Sequence, residues 1–199
     1  MTPFKPGIER ILRIFYENKD KKLHLRELAR RSNLYGQSIT RYLKDLKRDN
    51  ILNVEKEGNM KKYYLCHNKK VYVSLSFFDV ERFEKLPPLR KKAIQYYLDT
   101  LEEKPVFAIL FGSSAKDTYR ERSDIDILLI TNHKIKTVDA EKEAAALTTM
   151  KVSTFQIDLP EFKAEIKLKE DPTVQSALFS GYPIYNNGTY YEELYHERV

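Results

Sequence analysis

Val106-Phe107-Ala108-Ile109-Leu110-Phe111-Gly112-Ser113-Ser114 and, a few residues later, Asp124-Ile125-Asp126-Ile127-Leu128-Leu129-Ile130 are the stretches that decide how this chain is read. Both apolar runs have strand length and no alternation, the pattern of strands covered on both faces. The first stops abruptly at a glycine and two serines, and the second opens on two acids. Side chains alternate along a strand, so Asp124 and Asp126 emerge on one side. Two unpaired carboxylates there would repel each other and resist burial. A bound Mg²⁺ (or Mn²⁺) would supply the missing positive charge, with a phosphate-bearing compound as its usual company. Gly112 lets backbone approach a phosphate, while Ser113 and Ser114 offer hydroxyls and amides at the start of a short helix. The plainer alternative is a Gly-Ser turn with two solvated acids at a strand end.

The spacing is more specific than its parts. Gly112-Ser113, ten residues, then Asp124-x-Asp126, with a strand before and after, resembles the signature of the polymerase β-like nucleotidyltransferase superfamily. Over residues 89 to 199 the chain is similar to the short, minimal nucleotidyltransferases. The resemblance implies transfer of a nucleoside monophosphate from an NTP, with pyrophosphate leaving. Ser113 would hold the β- or γ-phosphate, and Asp124 and Asp126 would hold Mg²⁺. Arg120 or Arg122 would steady the leaving group, or else be a solvated loop residue. The superfamily usually adds a third carboxylate from a later strand. Here the candidate strand, Met150 to Ile157, offers Ser153 and Thr154 instead, and Asp158 follows it. Asp158 is therefore a candidate third metal ligand. Asp158-Leu159-Pro160-Glu161 equally fits a capping box opening a helix through Phe162, Ile166 and Leu168. The acceptor would be a partner protein, an RNA end or a small molecule. Minimal relatives often act as antitoxins that modify a partner protein, which makes a toxin–antitoxin role an expectation of the resemblance.

The N-terminal part has another character. Ile8, Ile11, Leu12 and Phe15 form one helical stripe beginning near Pro6. A short amphipathic segment, Leu25 to Arg31, leads through Ser32-Asn33-Leu34-Tyr35-Gly36 into a third stripe, Ile39, Tyr42, Leu43 and Leu46, with Asn50 as a left-handed cap. Ile51 to Glu55 and Lys61 to Leu65 are strand-like and flank Glu57-Gly58-Asn59, a hairpin turn. Residues 6 to 75 thus resemble the winged helix-turn-helix family. Gln37, Ser38, Thr40, Arg41 and Lys44, with Lys47 and Arg48, lie on the outward side of the third helix and suit base edges and phosphates. Lys56, Lys61 and Lys62 on the wing would meet backbone phosphates. A winged helix used for protein contacts or dimerisation is the alternative.

Charge separates the halves. Residues 1–75 carry 18 Lys/Arg against 8 Asp/Glu, a balance of +10, and the remainder carries −4, for the net +6. The basic half points to phosphate, and with the winged helix to DNA, as partner, the plainer alternative being a lysine-rich surface that keeps the protein soluble. The expected class is α+β: a winged helix of three helices plus a β-hairpin wing (1–75), a linker at 76–88 where Pro87-Pro88 breaks any helix, and a small nucleotidyltransferase domain with a mixed sheet flanked by helices (89–199). A helix is expected from Leu89 to Glu103. No apolar run approaches the roughly 18 residues that would span a bilayer, so no membrane partner is expected. One cysteine, Cys66, and no signal peptide point to a cytoplasmic protein. A homodimer is expected because winged helices commonly read paired half-sites. His24, His67, His133 and His196 lack metal-ligand spacing. Tyr190, Tyr191 and Tyr195 are read as packing or surface residues, with nucleotidylation of a tyrosine as the alternative. The rival to an enzyme is a nucleotide-sensing DNA-binding regulator without transferase activity.

Overall fold

The computed structural model describes residues 3–121 and 123–196. The chain divides into two compact units, Met1–Phe78 and Asp79–Val199. No helix among the described residues is long and apolar enough to cross a membrane.

The first unit contains α1 (Pro6–Glu17), β1 (Leu23–His24), α2 (Leu25–Ser32), α3 (Gln37–Arg48), β2 (Leu52–Glu57) and β3 (Met60–Leu65). Pro6 opens α1, where its missing N–H costs nothing. The expected stripes are the buried ones: Ile11, Leu12 and Phe15 from α1, Leu28 from α2, and Ile39, Leu43 and Leu46 from α3. Each such side chain stabilises the unit by about 1.5–3 kcal/mol relative to exposure. Asn50 is left-handed (φ 58°), and its amide donates to the Lys47 carbonyl while Ile51 donates to that of Leu46. This pair of bonds is a Schellman motif, which ends α3 and aims the chain into β2. The strands pair in the order β1-β3-β2, all antiparallel, and Gly58 at φ 58° turns the hairpin. Three helices with a hairpin wing are the winged-helix arrangement. The two-residue β1 is too short to show any period, and it was not expected.

The stretch expected as a linker is a helix. α4 (Lys69–Glu84) runs through most of it and carries the boundary between the units. Val71, Leu75 and Phe78 are buried at helical spacing. Val73 and Val80, 71% and 55% exposed, sit on the opposite side and blur that stripe in the sequence.

The second unit continues with α5 (Pro88–Thr100), β4 (Phe107–Phe111), α6 (Gly112–Lys116), β5 (Ile125–Thr131), α7 (Val138–Thr148), β6 (Val152–Asp158), α8 (Leu159–Leu168), α9 (Pro172–Ser180), β7 (Tyr182–Tyr185) and α10 (Asn187–His196). The sheet order is β6-β5-β4-β7, with β5 and β6 parallel and the other pairs antiparallel. Ala93, Ile94 and Tyr97 from α5 and Leu101 just after it, with Ala140 and Ala144 from α7, join Ala108, Leu110, Ile125, Ile127 and Leu129 in one core. On the other face Phe107 meets Phe162 of α8 at 5.1 Å and Tyr190 of α10 at 5.7 Å between ring centroids. Both faces are covered, which explains the uninterrupted apolar runs. α5 ends at Thr100, short of the expected Glu103. Tyr190, Tyr191 and Tyr195 are buried, as packing residues should be.

Candidate functional site

Asp124 stands immediately before β5 and Asp126 is its second residue, so both sit where a covered strand emerges. In register, Asp126 lies between Phe111 of β4 and Ser153 of β6. Ser153 Oγ donates to Asp124 Oδ2 at 3.1 Å, and Lys151 Nζ donates to the same oxygen at 2.6 Å. The lysine bond holds the Asp124 carboxyl below the usual aspartate range. Burial pushes Asp126 the other way, and the neighbouring Asp124 charge adds to that.

Gly112 has φ +67°, and a Cβ placed there would run into the Asp126 carboxylate. Conformation and space both require glycine at this point. Ser113 follows, half-buried, at the β4 end of the site. Ser114 does not join it: the residue is 2% exposed, and its Oγ accepts a 2.9 Å bond from Arg90. The expected nucleotide contact through the Ser114 hydroxyl is therefore replaced by a structural one. α6 has only five residues, so its dipole adds little.

Arg90 was not anticipated. It is buried on α5 and also donates to the carbonyls of Arg120 at 3.0 Å and Ser123 at 2.9 Å, with its guanidinium 4.2 Å from the Tyr119 ring. It thereby holds the Arg120 and Ser123 carbonyls, ahead of Asp124. Arg120 is exposed, and Arg122 lies outside the described residues.

Asp158 is corrected. Its side chain accepts from the Glu161 amide at 2.8 Å, and the Glu161 carboxylate accepts from the Asp158 amide at 3.2 Å, a complete capping box for α8. It pairs with Thr131, five positions along β5 from Asp126, or roughly 16 Å. Its carboxylate cannot share a metal with Asp124 and Asp126. The place beside Asp126 belongs to Ser153. Two carboxylates on one side, one of them under like-charge stress, fit one divalent cation. Among the described residues no group of three or more His, Cys, Asp or Glu is placed to hold a metal. A cleft of about 470 Å³ opens alongside, lined by Leu89, Glu121, Ser123, Thr149, Met150 and Lys151.

In the first unit, Gln37, Ser38, Thr40, Arg41 and Lys44 are all exposed on α3. The Arg41 guanidinium sits 5.0 Å from the Tyr42 ring, and Thr40 Oγ1 donates to the Gly36 carbonyl at 3.2 Å. Arg48 is paired with Asp45 at 3.1 Å, which leaves it less positive field to offer. On the wing Lys61 is exposed, whereas Lys62 is bonded to Glu57.

Among solved structures the chain is similar to AF1382 from Archaeoglobus fulgidus, at 18% identity over 42% of this chain and 92% of that one, with a TM-score of 0.36. It is also similar to TrmBL2, described as an archaeal chromatin protein with a novel mode of DNA binding, at 17% identity over 82% and 72% of the two chains, with a TM-score of 0.24. At these scores neither carries weight here. No match is found among curated proteins. Residues 92–186, just under half of the chain, match the family described as polymerase beta, nucleotidyltransferase, and the second unit accordingly carries a nucleotidyltransferase-type domain.

Proposed function

We propose that this protein is a metal-dependent nucleotidyltransferase, moving a nucleoside monophosphate from an NTP to an acceptor, and that its first unit binds DNA through α3 and the wing. The observation that carries the reading is Gly112, left-handed and packed directly against Asp126, with Asp124 beside it. Asp124 and Asp126 would hold one Mg²⁺ or Mn²⁺, whose charge would stabilise the phosphates during in-line displacement. Gly112 leaves room for the phosphate tail, and the Ser113 hydroxyl would bind it. Arg90 keeps the approach to Asp124 fixed, so the carboxylates are oriented before substrate arrives. Lys151 neutralises Asp124 until the cation takes its place. On the first unit, Gln37, Ser38, Thr40, Arg41 and Lys44 would enter the major groove, and Lys61 would sit on backbone phosphate.

A second reading, a nucleotide-sensing DNA-binding regulator without turnover, draws on one observation. The register partner of Asp126 is a serine, Asp158 serves a helix cap, and among the described residues no third Asp or Glu joins Asp124 and Asp126 in a metal-holding group.

One experiment separates the two. Full-length protein, its Asp124→Ala/Asp126→Ala variant and its Arg41→Ala/Lys44→Ala variant are given α-³²P-NTPs with Mg²⁺ or Mn²⁺ in cell extract. Label passing to an acceptor with the wild type and the α3 variant, and lost with the carboxylate variant, establishes transfer. Nucleotide binding that alters DNA affinity, with no label moved by any NTP, leaves the regulator. The α3 variant should bind DNA about 10- to 100-fold more weakly, with its salt slope reduced by about 2.

A further inference from the structure

If the second unit transfers nucleotide, the fold limits where the acceptor can stand. In-line displacement brings the nucleophile in opposite the leaving pyrophosphate. With the phosphate tail at Gly112 and Ser113, after β4, and the carboxylates at the start of β5, that approach lies over β6, an edge strand of this sheet. The same face presents Lys151, just before β6, with Ser153 and Phe155 on the strand itself. Phe155 is 44% exposed beside this polar site. Phe111 meets it in a T-shaped contact with centroids 5.7 Å apart, which fixes the ring and leaves it accessible. Lys151 has a side chain 72% exposed even while bonded to Asp124, so its ammonium keeps donors to spare. Along the strand the two residues are about 13 Å apart, so one extended acceptor can meet both.

We propose that Phe155 is an acceptor-binding residue, stacking the terminal base of a single-stranded nucleic acid while Lys151 meets a phosphate of the same strand. An aromatic face combined with a cation is the way single strands are held without sequence readout. A protein tyrosine as acceptor would use the ring but leave the ammonium without a counterpart. In the transfer, the terminal hydroxyl oxygen forms a bond to the α-phosphorus and the bond from that phosphorus to the bridging oxygen breaks. Pyrophosphate departs with the electron pair, and the hydroxyl proton passes to water. The proposal rests on the transferase reading for its chemistry, although its test does not require turnover.

The test is photocrosslinking of full-length protein with a short oligoribonucleotide bearing thiouridine at its 3′ end. The expected crosslink maps by mass spectrometry to the peptide containing Phe155. Phe155→Ala should lower its yield at least tenfold, and Phe155→Tyr, which keeps the stacking face, should restore it. Phe179→Ala, which removes another exposed ring, on α9, should leave the yield unchanged. Thermal denaturation of each variant confirms that an exposed position has been altered without unfolding. A crosslink only in the first unit, or a yield indifferent to Phe155→Ala, overturns the proposal. So does transferred label found on protein tyrosine at equal rate in wild type and Phe155→Ala. A crosslink at Phe155 with no transfer from any NTP would sink the transferase reading and keep the strand-binding site.

Discussion

The outer face of α3 and the strand ends around Asp126 both concentrate charge, at opposite cost to the fold. On α3 the groups aimed outward, Gln37, Ser38, Thr40, Arg41 and Lys44, are exposed, while Ile39, Leu43 and Leu46 do the packing. The exposed polar groups and the packing groups are different residues. Around β5 the same residues serve both. Asp126 is half-buried and resists ionisation, Gly112 is pressed against it, and Ser114 is held under a buried arginine. The difference teaches where substitutions will add. Changes on α3 should combine independently, whereas those around Asp126 share partners and should not.

The largest expected effect sharpens that contrast. Arg90→Met removes three hydrogen bonds from a buried cation and strands Ser114 and two carbonyls. It should cost about 3 kcal/mol and lower Tm by about 6–12 °C. Arg41→Ala should stay within about 0.5 kcal/mol. Thermal melts giving equal losses would break the comparison.

A smaller effect, of opposite sign, concerns Asp126. Its raised pKa means that the folded chain keeps this proton to higher pH than the unfolded chain does. The associated stability is complete below the unfolded value and is lost as pH rises through the folded one. At neutral pH the ionised carboxylate is thus a net cost. Asp126→Asn should raise Tm at pH 7, and the gain should fade as pH falls below the ordinary aspartate range. A melt at pH 7 showing no gain would mean that Asp126 is better solvated than its setting implies.

The smallest effect tests the correction at Asp158. Asp158→Ala removes the α8 cap and should cost about 0.5–1 kcal/mol, or roughly 1–3 °C in Tm. NTP affinity, measured by equilibrium titration with Mg²⁺, should not change. A loss of affinity would bring Asp158 back into the site.

Much of this architecture was legible because local rules act over a few residues. Pro6, Asn50, Gly58 and the capping box each declared an element boundary through its own chemistry, and the Gly112-Ser113 to Asp124-x-Asp126 interval marked the site. α4 was hidden because exposed Val73 and Val80 mask its buried stripe. Arg90 was hidden because its partners lie 24 to 33 residues away, and a lone arginine on a helix reads as a solvated one. Lys151 and Ser153 face Asp124 only through the parallel β5–β6 register, which depends on a crossover through α7. Ser114 looked like a ligand because its burial is a tertiary fact.

The contact between Gly112 and Asp126 also bears on how such a domain would decay. While an acid stands at position 126, the carboxylate leaves no room for a Cβ at position 112, and the dihedral angle there disfavours most side chains as well. Once a lineage gives up the acid, the steric half of that veto disappears. The remaining demand, a left-handed backbone, is one that asparagine can meet. The two positions should therefore be surrendered in order, the acid first and the glycine afterwards. Among descendants, a glycine at 112 beside a small neutral residue at 126 would mark a recently silenced domain, and asparagine at 112 an old one.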